Sequence, residues 1–191
     1  MTRKDFNKTL TRLCACHEAV DWCAAEPRLS PAKLWATCPR ADWLLWLAKA
    51  IDRKVLVAAA CDCAVTALKF VSKSEKRPAE AIRITRLWIN GLASIEEVQT
   101  ASDAVAAAVY TSNAFTAAYT SAAAAASVSD AVFAARAAAS AAASAAASAS
   151  YVYATSANAK SKHHKLMCGL IRRRIKWAEV EKSLATGKAG A

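Results

Sequence analysis

The chain reads as all-α: a single helical-bundle domain of about six to eight helices, including a long Ala/Ser-rich helical hairpin. Three observations predict this. Only 4 Gly and 4 Pro occur in 191 residues, too few for a loop-rich chain. Apolar residues recur at spacings of three and four across the N-terminal half. Between Ala101 and Ala159, 29 of 59 residues are Ala and 14 are Ser or Thr, with no Gly, no Pro and three charges, Asp103, Asp130 and Arg136. Ala is the best helix former, so this tract is predicted helical almost throughout. As one helix it would span about 90 Å, too long for a compact chain of this size. A reversal is therefore expected. Ser127-Val128-Ser129-Asp130 is the best break, with Asp130 as N-cap of a return helix ending near Asn158. Ser140, Ser144 and Ser148 would give that helix a small-residue stripe for close packing.

The remaining elements follow in order. Phe6, Leu10, Leu13, His17, Val20 and Ala24 form one seam, predicting a helix over 4–25 that Pro27 ends. On that seam His17 reads as a core histidine. Ser30-Pro31 is an N-cap followed by Pro at the first helical position, opening a short helix to Thr37. Ala41 to Ile51 carries Trp43, Leu44, Leu45, Trp46 and Leu47, apolar on nearly every side, and reads as the central helix. Asp52 caps the next helix, expected to run to Val71. Its main stripe is Leu56, Ala60, Cys63, Ala67 and Phe70, with Val57, Cys61, Ala64 and Leu68 as a second stripe beside it. Pro78 starts a helix that stops at Gly91. Ser94 and Glu97 form a capping box at the entry to the Ala-rich hairpin, placed at 95–159. The basic segment 160–185 reads as one more helix, striped by Leu166, Leu170, Trp177, Val180 and Leu184, with Arg173 within that stripe. Residues 186–191 read as a loose tail.

The formal charge is +11. From Lys160 onward nine cations face only Glu179 and Glu181. Such a balance favours anionic partners: nucleic acid, nucleotides or acidic proteins. Seven cysteines, an odd number, follow a polar N-terminus with no secretory signal, which predicts reduced thiols in a cytoplasmic protein. No stretch reads as a membrane span, because Ala and Ser give lipid little preference.

Two polar constellations are candidate ligand or partner sites. The first is Arg40 and Asp42 with Trp43 and Trp46, since Trp beside Arg is how stacking sites are built. The second is Asp62, a carboxylate in an apolar helix, which needs water or a partner. Arg83 and Arg86 are its candidate partners, with Trp88 close by; a structural ion pair is the alternative role. Arg172, Arg173, Arg174 and Lys176 are candidate contacts for phosphate. Cys14 and Cys16 lie about 200° apart on a helix, so they cannot share a metal without a second element. No metal or cofactor is expected. His163-His164 sits among lysines and is not expected to be catalytic. No P-loop, nucleophile elbow, zincin or dinucleotide fingerprint is present, so the chain is not expected to be an enzyme.

The run Trp35-Ala-Thr-Cys38-Pro39-Arg40-Ala-Asp42-Trp43-Leu44-Leu45-Trp46-Leu47-Ala48 carries a resemblance. With it go Leu56-Val-Ala-Ala-Ala-Cys61-Asp62-Cys63-Ala64, the Arg77-Pro78 helix ending in Trp88 and Gly91, Ile95-Glu96-Glu97-Val98, and Trp177-Ala-Glu179-Val180-Glu181. Across about residues 10–185 the chain resembles a family of Ala-rich helical immunity proteins of bacteria and their phages. The resemblance implies a cytoplasmic protein that neutralises a toxin or host-defence protein by binding, with no active site to carry over. A basic member suits an acidic target surface or an anionic, nucleotide-like ligand better than a nuclease. Two further expectations come from the residues alone: nucleic-acid binding through the basic C-terminal helix, and self-association into a homo-oligomer through the Ala/Ser-rich helices.

Overall fold

The computed structural model describes residues 1–66, 68–70, 73–74, 76–109 and 156–186. Among these residues the chain is all helical, with nine α-helices, one 3-10 turn and no strand. The expected reversal at Asp130, the Ser140/Ser144/Ser148 stripe and the tail beyond Thr186 lie outside the described residues.

α1 (Arg3–Arg12) begins at Thr2, whose hydroxyl accepts the Asp5 N–H at 3.2 Å. It ends at Leu13, and Cys14 takes a left-handed φ of 55°. The Ala15 N–H reaches the Leu10 carbonyl at 2.9 Å and the Cys14 N–H reaches Thr11 at 3.1 Å. That is a Schellman stop made without glycine. The helix expected over 4–25 is therefore two, because one left-handed residue resets the phase that the seam assumed. Phe6, Leu10 and Leu13 are buried, while His17, Val20 and Ala24 on α2 (His17–Ala25) are exposed. His17 is a surface partner of Asp21 at 2.6 Å, not a core histidine.

α3 (Pro31–Thr37) starts where Ser30 accepts the Lys33 N–H. α4 (Ala41–Leu47) stops short of Ile51. α5 (Arg53–Val65) is capped by Asp52, whose carboxylate accepts the Lys54 and Val55 N–H groups at 2.9 and 3.1 Å. It ends at Val65 rather than Val71, and a 3-10 turn (Leu68–Phe70) follows. α6 (Arg77–Ile89) has Pro78 in its first turn and stops at Gly91, φ 75°, with the same Schellman pair as α1. α7 (Ile95–Val109) opens on the expected capping box: Ser94 N–H to Glu97 at 2.6 Å, Glu97 N–H to Ser94 at 3.2 Å.

The C-terminal segment is also two helices, α8 (Ser156–Arg174) and α9 (Trp177–Ala185). Lys176 is extended, and its freed N–H donates to the Glu179 carboxylate at 2.9 Å. The break lets Ile171 and Ile175 face the same core as Val180 and Leu184. The buried stripe of α8 is His163, His164, Met167, Cys168 and Ile171. Leu166 is exposed and Leu170 half-buried, so the stripe expected through them is displaced toward the neighbouring residues.

α5, not α4, is the central helix. Every residue from Leu56 to Cys61 is buried, whereas Trp43 and Trp46 of α4 are half-exposed. The two stripes of α5 face different packing. Leu56, Ala59, Ala60 and Cys63 join the main core with α1, α3, α4, α8 and α9. Val57, Cys61 and Ala64 form a second core with Ile82 of α6. Phe6, Trp35 and Trp177 tie α1, α3 and α9 together by ring contacts of 6.0 and 6.3 Å. No helix of the described residues is long and apolar enough to cross a membrane.

Candidate functional site

The α3–α4 turn brings the first constellation together. Pro39 favours extended backbone at the residue before it, and Arg40 itself is the extended N-cap of α4. From there its guanidinium reaches forward to Asp42 in two hydrogen bonds, 2.9 and 2.7 Å. Asp42 is 3% exposed. Burial pushes its carboxyl up, but Arg40's hydrogen bonds and charge outweigh that, with help from His164, and hold it below the usual carboxylate range. Arg40 also lies 4.9 Å over the Trp43 ring and 3.5 Å from Glu18 of α2. Trp22 meets Trp43 at 6.1 Å. His164 of α8 approaches from the other side: its Nδ1 accepts the Ala41 N–H at 3.3 Å. Trp46 carries its own cation, Lys49, at 5.6 Å. Beneath Trp43 and Trp46 the α1–α4 helices leave a cavity of about 40 Å³, walled by Phe6, Leu10, Trp22, Leu34 and Leu44. That volume holds little more than a water or two, so a larger molecule could meet this constellation only at its outer face.

Asp62 gathers the second constellation. One oxygen accepts Arg86 of α6 at 3.0 Å and the other accepts Arg174 of α8 at 2.8 Å. Arg83 is not part of it; it forms a two-pronged pair with Glu80 one turn away on its own helix. Trp88 lies under Arg53 and Lys54, each at 5.9 Å, and packs on the second core.

The basic run divides. Arg172 donates to the Trp35 and Cys38 carbonyls at 2.9 and 2.6 Å, which places it at the end of α3. Arg173 is exposed. Arg174 goes to Asp62, and Lys176 donates back to the Arg172 carbonyl at 3.3 Å.

Sequence reasoning missed Glu18, Trp22, Arg53, Lys54 and the two histidines. His163 Nε2 lies 2.9 Å from the Thr66 hydroxyl, and burial, then Lys69 and His164, push it down to about 4. No local pattern marks either histidine, because their partners lie about a hundred residues away in the chain.

The chemistry available is narrow. Burial pushes Cys38 and Cys61 up to about 12 and Cys168 to about 11, so these thiols stay protonated and are poor nucleophiles and metal ligands. Among the described residues no group of His, Cys, Asp and Glu has metal-holding geometry. What the two sites do offer is guanidinium and ammonium groups over partly exposed indoles. In comparisons with known proteins, no family model, curated protein or solved structure matches the chain.

Proposed function

We propose that this chain is a non-enzymatic binding protein with an immunity or anti-defence role. It neutralises an acidic toxin or defence protein by contact, or holds an anionic, nucleotide-like ligand. The observation that carries this reading is the set of cation–indole pairs at residues 40–88. Arg40 lies over Trp43, Lys49 over Trp46, and Arg53 with Lys54 over Trp88. Each pair offers a flat apolar face and a positive charge within one contact, which suits a base with its phosphates or an acidic side chain flanked by an aromatic one. The net charge of +11 supports the same sign of partner. In this reading segment 95–159 is a helical hairpin that serves as scaffold within a single domain ending near residue 185.

Titration calorimetry of the purified chain against nucleotides and candidate acidic toxins tests the proposal. Saturable binding that weakens on changing Trp43 or Trp88 to Ala supports it. Turnover of the bound molecule overturns the non-enzymatic claim. Nucleic-acid binding through the basic C-terminal helix is the competing reading, and it rests on exposed cations of α8, Lys162, Lys165, Arg173 and Arg174 among them. It predicts affinity that falls steeply with salt.

A further inference from the structure

Four arginines of the described residues pair with carboxylates, and they do so in two different ways. Arg40 and Arg83 each make a two-pronged pair with a carboxylate of their own. Arg86 and Arg174 share one carboxylate, and each touches it through a single nitrogen, Nη2 for Arg86 and Nε for Arg174. A guanidinium has five N–H donors. Four therefore remain on each, and the cluster keeps one net positive charge. Among the described residues no further acceptor is seen for either group. Asp62 is 20% exposed, while Arg86 and Arg174 are 48% and 44% exposed. So the carboxylate is the sunken anchor, and the two guanidiniums are fixed at one end and open to water at the other. Three helices supply the three residues, α5, α6 and α8, and the second core beneath α5 and α6 fixes their spacing. One turn along α5 from Asp62, Val65 is an exposed valine, and Leu170 lies half-buried one turn before Arg174 on the same flank of α8.

We propose that Arg86 and Arg174, aligned by Asp62, bind the phosphate group of a small phosphomonoester, with Val65 and Leu170 beside its organic part. A phosphate dianion matches the requirement: its oxygens accept from both forks, and its charge answers the surplus that one carboxylate leaves. Asp62 acts as a positioning residue and does not touch the ligand. The site deepens the anionic-ligand reading above and rests on it.

The test uses the full chain with a nucleoside 5′-monophosphate, the matching nucleoside and inorganic phosphate as probes. Calorimetry measures affinity, and ¹H–¹⁵N spectra of the arginine Nε–H groups report the place of binding. The expected result is binding of the monophosphate, shifts at Arg86 and Arg174, and no binding of the nucleoside. Arg86→Gln and Arg174→Gln should each weaken binding about tenfold or more, with Arg174→Lys in between. Inorganic phosphate binding as tightly as the ester would keep the clamp and remove the role given to Val65 and Leu170. Unchanged affinity in both Gln variants would overturn the site while leaving the anionic-ligand reading standing. Should a Gln variant fail to fold, the wild-type spectra decide alone: binding without shifts at these two arginines overturns the site. If no phosphate probe binds the wild type, site and anionic-ligand reading both fall, and neutralisation of a protein partner keeps its own test.

Discussion

Arg172 is expected to hold the chain together, and replacing it with Met measures how much. Its guanidinium is the partner of two backbone carbonyls, Trp35 at 2.9 Å and Cys38 at 2.6 Å. Both belong to the last turn and exit of α3, where carbonyls have no partner within the helix. A hydrogen bond from a charged donor contributes about 1.5–3 kcal/mol. Arg172 is half-buried, so water can replace part of each bond in the variant. The lower end applies, and Arg172→Met should cost about 3 kcal/mol. At 191 residues this corresponds to a fall in Tm of about 6–12 °C. Met retains most of the aliphatic stem, so the loss reports the guanidinium. Arg173→Met is the matched control. It removes the same charge one residue away from an exposed position, and should shift stability by no more than about 0.5 kcal/mol. Urea denaturation followed by tryptophan fluorescence reads both. Equal losses in the two variants, or a loss below about 1 kcal/mol at Arg172, would refute the argument.

Three further outcomes follow from the same geometry. Asp42→Ala leaves Arg40 beside an apolar core and should cost about 2–3 kcal/mol, less than a fully buried pair because a third of Arg40 meets water; Arg40→Met combined with Asp42→Leu should recover most of the urea midpoint. His163, pushed down to about 4, binds fewer protons folded than unfolded between that value and the ordinary 6.5. Its contribution to stability is therefore complete above pH 6.5 and is lost as pH falls toward 4, and His163→Asn should flatten that limb of the stability–pH curve. Cys14→Gly should raise stability by about 0.5–1 kcal/mol, since glycine takes the left-handed conformation without a Cβ penalty, whereas Cys14→Val should lower it; thermal unfolding of the two variants checks the sign.

Cap chemistry was legible residue by residue. Ser30, Asp52, Gly91 and the Ser94–Glu97 box all act where their residue types place them, because a cap is a contact over two to four residues. The two stripes of α5 were legible for the same reason: rotation of about 100° per residue is local geometry. The breaks at Cys14 and Lys176 were not. Neither uses Gly or Pro, so nothing in residue type marks them, and a seam drawn through them assigns His17 and Leu166 to the wrong side. Half of the candidate site was also visible. Arg40–Asp42 is a contact between neighbours in sequence, and Asp62–Arg86 lies within one helix pair. Arg174 joins Asp62 from 112 residues away, and periodicity carries no information about which helices pack together.

The three arginines at 172–174 show why a basic run is not a basic patch. On one helix, Arg172 and Arg174 point about 200° apart. α8 has α3 on one flank and α5 on the other, so Arg172 reaches the carbonyls of α3 and Arg174 reaches Asp62. Arg173, between them, is exposed, and Arg174 is open to water at the end that Asp62 does not hold. Two of the three charges therefore lie in seams between helices, and one of those seams is a structural cap. The surplus that remains for an outside anion lies where Arg174 meets Arg86, because there a single carboxylate serves two cations. Recognition by this segment should then depend on the α5–α6–α8 junction more than on the number of cations in α8. Arg174→Gln should weaken phosphate binding far more than Arg173→Gln, although the two changes alter the net charge by the same amount.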